Sequence, residues 1–267
     1  MRNLITFLLL IFLNISALAN SKDLLLATTT SLEDTGFLDY LAPQLQNDTK
    51  INLRWVAVGS GAALEMGKNC DVDAVLTHDP KAEEDFMHKG YGVSINKIMY
   101  NDFVIVGPAN DPAKIKNKSV TEALQSIASQ QSTFISRDDK SGTYEKELEL
   151  WSKAQINLPQ KSNWYLQSGQ GMLATLNIAA TKHAYTLTDR GTFIKYLANN
   201  DSQKLIILVQ KKSNLINKYN LILINPKYCK NVNIANAEQF KDWLIGEQAK
   251  KLIVNFKLKN QPIFFTQ

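Results

Sequence analysis

The sequence predicts an α/β protein of two lobes, with two crossing strands as the hinge. Three observations carry that reading. From residue 22 onward, short apolar runs of strand length alternate with segments of helical periodicity. Two longer extended runs, 98–106 and 220–224, stand apart from the alternation and end in Gly107-Pro108 and Asn225-Pro226. A second alternating block lies between them, so one lobe is inserted in the other. Lobe 1 takes residues 20–105 and 219–267, and lobe 2 takes 106–218. A chain that leaves a lobe and returns through adjacent strands makes a double hinge, which suits closure around a ligand at the strands' C-terminal edges.

In lobe 1, Leu24-Leu25-Leu26 reads as a short buried strand, followed by a helix around Phe37, Leu38, Leu41 and Leu45 and a strand over 51–58. A helix from Ala62, a strand over 73–77 and a helix over 81–89 continue the βαβ order. Lobe 2 opens on Ser119-x-x-Glu122, a capping box, then a strand over 133–136, a helix over 143–155 and a strand over 163–166. A helix from Met172, a strand over 185–188, a helix over 192–197 and a strand over 205–209 complete it. After the return, Asn236 is read as the cap of a helix carrying Phe240, Trp243 and Leu244, with a last helical run over 250–256.

The N-terminus reads as an address. Arg2 supplies the basic start, residues 4–13 an apolar run, and Ala17-Leu18-Ala19 a small-x-small cleavage site, so residues 1–19 are a signal peptide. Roughly ten apolar residues fall short of the ~20 that span a bilayer, and no cysteine follows the cleavage site to take a lipid. The expectation is an exported protein held in a periplasm. A net charge of +5 spread over scattered lysines makes solvated faces, with no basic, aromatic-interleaved stripe for nucleic acid. The mild basicity can steer an anion. Cys70 and Cys229 leave two outcomes open, one structural bridge or two buried thiols.

Candidate chemistry sits where strands pass into helices. Thr28-Thr29-Thr30-Ser31 places four hydroxyls after the first strand and before a helix, where free amides and the helix dipole favour negative charge. A simple cap needs only one. Val58-Gly59-Ser60-Gly61 is a turn by default, but its glycines permit close backbone approach and Ser60 can donate. In Ser136-Arg137-Asp138-Asp139-Lys140-Ser141-Gly142-Thr143, Arg137 offers a planar donor fork, and Ser141, the Gly142 amide and Thr143 fall in a first helical turn. The competing reading pairs Arg137 with Asp138 or Asp139.

Ser168-Gly169-Gln170-Gly171 could expose the amides of Gly169 and Gly171, though it lacks the third glycine and the acidic partner of a dinucleotide loop. Thr186-Leu187-Thr188-Asp189-Arg190-Gly191-Thr192, at the end of a lobe 2 strand, either lines the cleft or caps a helix, and is read as the cap. The three histidines form no metal pair, no nucleophile elbow occurs, His78 reads as a turn residue, and Glu83-Glu84 reads as a solvated helix face. No catalytic metal, cofactor or enzymatic activity is expected. A secreted hydrolase using Ser60 or Ser141, or a purely structural exported protein, is the rival from another class.

In combination these segments resemble the periplasmic tungstate-binding proteins of ABC importers. Leu26-Ala27-Thr28-Thr29-Thr30-Ser31 with Asp34-Thr35-Gly36-Phe37-Leu38 is similar to that family's TTTS segment. Residues 71–78, 101–108 and 185–192 resemble further blocks. The resemblance implies a two-lobed type II periplasmic-binding-protein fold and a monomer that delivers tungstate to a membrane permease. It carries oxyanion contacts onto Thr30, Ser31, Ser60, Arg137, Ser141, Gly142 and Thr143, with Thr29 beside them. A glycine is expected after the Ser-Arg pair, where this chain has Asp138, and the two cysteines lie at positions not associated with cysteine in that family.

Tungstate and molybdate are fully deprotonated at neutral pH, so a cage of donors suits them. Phosphate keeps a proton and profits from a carboxylate acceptor. No acid is expected to face inward, although Asp73 or Asp138 could approach. Molybdate, sulfate and phosphate remain the alternatives of the same class.

Overall fold

A computed structural model describes residues 22–158, 162–199 and 204–266. The expected signal segment, 1–19, lies outside the described residues. Lobe 1 begins with β1 (Asp23–Thr29), α1 (Thr30–Glu33), α2 (Phe37–Thr49), β2 (Asn52–Val58), α3 (Ser60–Lys68), β3 (Ala74–Thr77) and α4 (Pro80–His88). The chain then leaves along β4 (Gly92–Pro108). In lobe 2 follow α5 (Val120–Ser129), β5 (Phe134–Ser136), α6 (Gly142–Lys153), β6 (Tyr165–Gln167), α7 (Met172–Thr181), β7 (Thr186–Asp189), α8 (Arg190–Ala198) and β8 (Leu205–Val209). It returns through β9 (Ile216–Ile224) to α9 (Ile234–Ile245), α10 (Glu247–Asn255), and the short strands β10 (Lys257–Leu258) and β11 (Gln261–Pro262).

The two lobes repeat one strand order. In lobe 1 it is β2-β1-β3-β9-β4, with the first three parallel and β9 antiparallel to both its neighbours. In lobe 2 β5 pairs in parallel with β6 and touches β7 through a Phe134–Tyr185 bridge, while β7 and β8 flank β4. The order there is β6-β5-β7-β4-β8. β4 changes partners between Asp102, which faces Ile216 of β9, and Phe103, which faces Asp189 of β7.

Strand periodicity explains the burial. Along β9, Tyr219, Leu221 and Leu223 enter one core of lobe 1, and Ile222 and Ile224 enter the core on the opposite face. Along β4, Phe103 and Ile105 enter one core of lobe 2, and Val104 and Val106 the other. Helices cover both faces, so these strands read as continuous apolar runs. Each such side chain contributes roughly 2 kcal/mol by leaving water.

Several local expectations are corrected. Crossing strand β4 starts at Gly92 rather than at 98, because alternate polar residues on its exposed edge masked the strand pattern. A one-turn helix, α1, precedes the helix at Phe37, and Gly36 at φ 73° separates the two. Asn233, not Asn236, caps α9: its side chain accepts from the Asn236 amide at 3.2 Å. Glu83 is fully buried rather than solvated, accepting from Thr77 Oγ1 (2.8 Å), the Asp79 amide (3.0 Å) and Asn220 Nδ2 (2.6 Å). It fastens the end of β3 to β9. The Ser119–Glu122 capping box is present as read. Of the two outcomes open for the cysteines, the bridge is formed: Cys70 and Cys229 are disulfide-bonded with Cα atoms 5.4 Å apart, within lobe 1.

Candidate functional site

Six parallel strands, β1, β2 and β3 from one lobe and β5, β6 and β7 from the other, end at the interlobe cleft, and helices begin there. Thr29 ends β1, and its Oγ1 lies 3.2 Å from Ser31 Oγ. Ser31 Oγ in turn lies 3.3 Å from His78 Nε2, in the loop after β3. Thr30, at the start of α1, is half-buried. Thr28 serves the fold, donating to the Leu76 carbonyl at 2.9 Å. Ser60 begins α3 fully buried, and its Oγ has no hydrogen-bond partner.

From lobe 2, Ser141 caps α6, accepting from the Tyr144 amide at 3.2 Å, while its own amide donates to Asp139 Oδ1 at 3.2 Å. Thr143, one residue into the helix beyond Gly142, is buried with Oγ1 unpartnered. Gly142 brings the lobes together. A Cβ placed there would lie 2.9 Å from both His78 Nδ1 and Ser60 Oγ, and Cβ atoms at Gly59 and Gly61 would each lie 3.5 Å from the Lys140 carbonyl. His78 Nδ1 is also buried without a partner. Two orphaned polar atoms, on Ser60 and His78, thus crowd around Gly142, and a third is carried by the next residue, Thr143. Buried polar groups are nearly always satisfied, so such a cluster marks a place built for a polar ligand.

Arg137 ends the strand edge of lobe 2, buried, and forms an ion pair with Asp139 through Nε (3.0 Å) and Nη2. The competing sequence reading was therefore right about the pairing, with Asp139 as the partner. Asp138 sits at φ 49°, in the left-handed region where glycine is most at ease and Asp is tolerated, which accounts for the glycine expected at that position. Gly169 and Gly171 are exposed. The Gly169 amide is committed to the Arg137 carbonyl at 2.9 Å, and the Gly171 carbonyl accepts from the Thr175 amide at 3.0 Å.

Acids do approach, contrary to the sequence expectation. Burial pushes the Asp34 carboxyl up to about 6, reinforced by Asp189 and opposed by Arg137. Asp189 is fully buried and raised for the same first reason, with its oxygens held by the Thr192 amide (2.9 Å) and hydroxyl (2.6 Å) as the cap of α8. Asp73 is elsewhere, accepting from the Leu25 and Asn233 amides, and Asp138 is exposed. Next along the chain, Arg190 pairs with Asp102 on the crossing strand, at 2.7 and 2.5 Å. Burial, then Arg137, pushes the His78 imidazole down to about 4, so it is neutral at physiological pH. Sequence reasoning passed over His78, yet Thr77-His78-Asp79 follows a parallel strand just as the TTTS segment does. That edge rule was the available signal.

Two lobes of one strand order, joined by crossing strands and meeting at a buried polar cluster, define a ligand-trapping bilobal binding protein. The model of the PBP superfamily domain matches residues 16–248. The tungstate-binding protein TupA of Campylobacter jejuni is 46% identical over 88% of this chain and 87% of its own length. The TupA of Peptoclostridium acidaminophilum is 43% identical over 86% of this chain and 80% of its own. The solved structure of the tungstate-binding TupA from Desulfovibrio alaskensis G20 superposes with a TM-score of 0.81 at 48% identity, covering 92% of this chain and 98% of that one. The chain belongs to the PBP superfamily and, within it, to the family of the TupA proteins.

Proposed function

We propose that this chain is an exported solute receptor that traps tungstate between its lobes and delivers it to an ABC importer. The observation that carries this reading is the cluster of buried, unpartnered polar atoms on Ser60 and Thr143 at two helix N-termini, beside the buried Arg137. An oxyanion with several acceptor oxygens satisfies such groups together. Ser31, Thr30 and Thr29 line the lobe 1 wall in this reading, and the Ser141-Gly142-Thr143 turn lines the lobe 2 wall. Arg137 supplies the charge, its fork turning from Asp139 toward the anion. The hinge lies where β4 exchanges β9 for β7, near residues 102–103, and at the start of β9.

Trapping rather than catalysis fits the local chemistry. Ser141 Oγ is occupied as a cap, and among the described residues no carboxylate hydrogen-bonds the His78 ring to orient it as a base for Ser60. Titration calorimetry with tungstate, molybdate, sulfate and phosphate tests the reading. Tungstate is expected to bind at one site per chain and to displace the others; a protein that takes up none of the four would end it. Asp34 and Asp189 add a negative charge to the site's border, and the Thr192 amide and hydroxyl engage both Asp189 oxygens.

A further inference from the structure

Resting on the proposed anion site, we infer that His78 is a direct ligand-binding residue and that it selects for a fully deprotonated anion, by donating Nδ1–H into the cage while Ser31 holds its other nitrogen. The position is built. The ring is buried, packs against Tyr219 (centroids 4.9 Å apart) and Phe103 (6.3 Å), has Ser31 Oγ 3.3 Å from Nε2, and has the Asn217 side chain near enough to favour its protonated form against the burial. Nδ1 is buried, unpartnered, and adjacent to the same Gly142 that Ser60 Oγ abuts. A buried imidazole nitrogen left without a partner in a cleft needs a ligand to complete it.

A neutral imidazole carries one N–H, and the hydrogen bond at one nitrogen decides what the other offers. If Ser31 donates to Nε2, then Nδ1 carries the hydrogen and meets an acceptor oxygen. If Ser31 accepts from Nε2, then Nδ1 turns a lone pair into the cage, which repels a dianion bearing no hydrogen and suits one that keeps a proton. The first arrangement extends backward without conflict: Thr29 Oγ1 donates to Ser31 Oγ, Ser31 donates to His78, and His78 donates to the anion. Hydrogen bonds in such a chain polarise one another. Thr29 and Ser31 then act in series behind the histidine, with Ser31 orienting it, so that two of the TTTS hydroxyls set the selectivity without spending their hydrogens on the anion. Because burial keeps the ring neutral, the selection does not lapse near neutral pH.

The experiment uses the full mature chain with tungstate as the probe. Calorimetry on His78→Phe is expected to show roughly 10- to 100-fold weaker binding, the loss of one hydrogen bond to a charged group. His78→Asn, whose amide nitrogen can stand near the position of Nδ1, is expected to recover most of it, and His78→Gln less. Independently of any variant, long-range 1H–15N correlation on the 15N-histidine wild type with tungstate bound is expected to report the Nδ1–H tautomer at His78. Unchanged affinity in a folded His78→Phe, or an Nε2–H tautomer or imidazolium in the bound wild type, would overturn the assignment. Absence of tungstate binding by the wild type would instead end the parent reading, and this one with it. The spectrum decides the matter even if the phenylalanine variant does not fold.

Discussion

Lobe 1 and lobe 2 repeat one strand order and turn the same strand edges toward the cleft, but the groups they place there differ. Lobe 1 brings the Ser31 and Ser60 hydroxyls and an imidazole that burial keeps unprotonated, with the Asp34 carboxyl at the border. Lobe 2 brings the charge, in Arg137 with Asp139, together with the N-terminus of α6. In the proposed reading, the cation on one wall attracts the anion while the cleft is open, and the hydroxyl and imidazole wall closes over it. The lobes also differ in their fastening, since the only disulfide among the described residues lies in lobe 1. In that reading, capture and completion are divided between two halves of similar architecture.

The largest effect should come from the fastening. Closing a loop between residues 159 apart in sequence is worth about 5 kcal/mol in the chain-entropy account when the whole enclosed segment, lobe 2 included, unfolds, and less when lobe 2 stays folded. Reduction, or Cys70→Ser with Cys229→Ser, should lower the stability of lobe 1 while leaving lobe 2 nearly unchanged. Hydrogen exchange resolved by lobe checks this, and equal loss in both would show that the lobes melt as one unit. Next comes the charge. Arg137→Ala should weaken tungstate binding by about 3 kcal/mol or more, over 100-fold, and calorimetry showing wild-type affinity would remove the charged wall from the comparison.

The pH response should divide the lobes as well. His78 is held at about 4 against 6.5, so below 6.5 the unfolded chain takes up a proton that the folded chain refuses until about 4. Stability falls as pH drops through that window, by about 3 kcal/mol. In lobe 2, burial raises Glu147 to about 7 from 4.5, although it accepts from Tyr165 Oη (2.7 Å) and Trp151 Nε1 (3.3 Å). The folded chain keeps its proton where the unfolded chain has released it. Stability therefore falls as pH rises from 4.5 through 7, again by about 3 kcal/mol. Denaturant titrations across pH should show His78→Asn without the acid-side loss and Glu147→Gln without the alkaline-side loss.

The smallest change tests the meeting point. Gly142→Ala puts a methyl 2.8 to 2.9 Å from His78 and Ser60 in the closed arrangement, a crowding worth about 1 to 3 kcal/mol. Affinity should fall roughly tenfold or more, and small-angle scattering at saturating tungstate should show a less compact molecule than the wild type. An unchanged affinity would mean that the walls do not meet at that glycine when the anion is bound.

Much of this was legible in the sequence, for identifiable reasons. Apolar runs such as 103–106 and 221–224, short and closed by Gly-Pro or Asn-Pro, read as strands buried on both faces, and hydroxyl- and glycine-rich turns after strands are candidate ligand edges. The Ser119 capping box was legible because it is closed within four residues. What escaped were residues whose role depends on partners far along the chain. Glu83 looks like a solvated helix carboxylate until Asn220, 137 residues away, is brought against it. The Asp34 carboxyl is made a weaker acid by burial and by Asp189, in the other lobe.

The sequence by itself determined the α/β order, the two crossing strands and the hydroxyl, glycine and arginine segments at strand ends, because periodicity, capping and turn chemistry are local. Only the tertiary structure decided that Cys70 meets Cys229 and that His78 stands unpartnered beside Ser60 and Gly142. Those facts depend on which distant segments packing places side by side, and on the loss of water that makes an unpaired nitrogen there demand a partner.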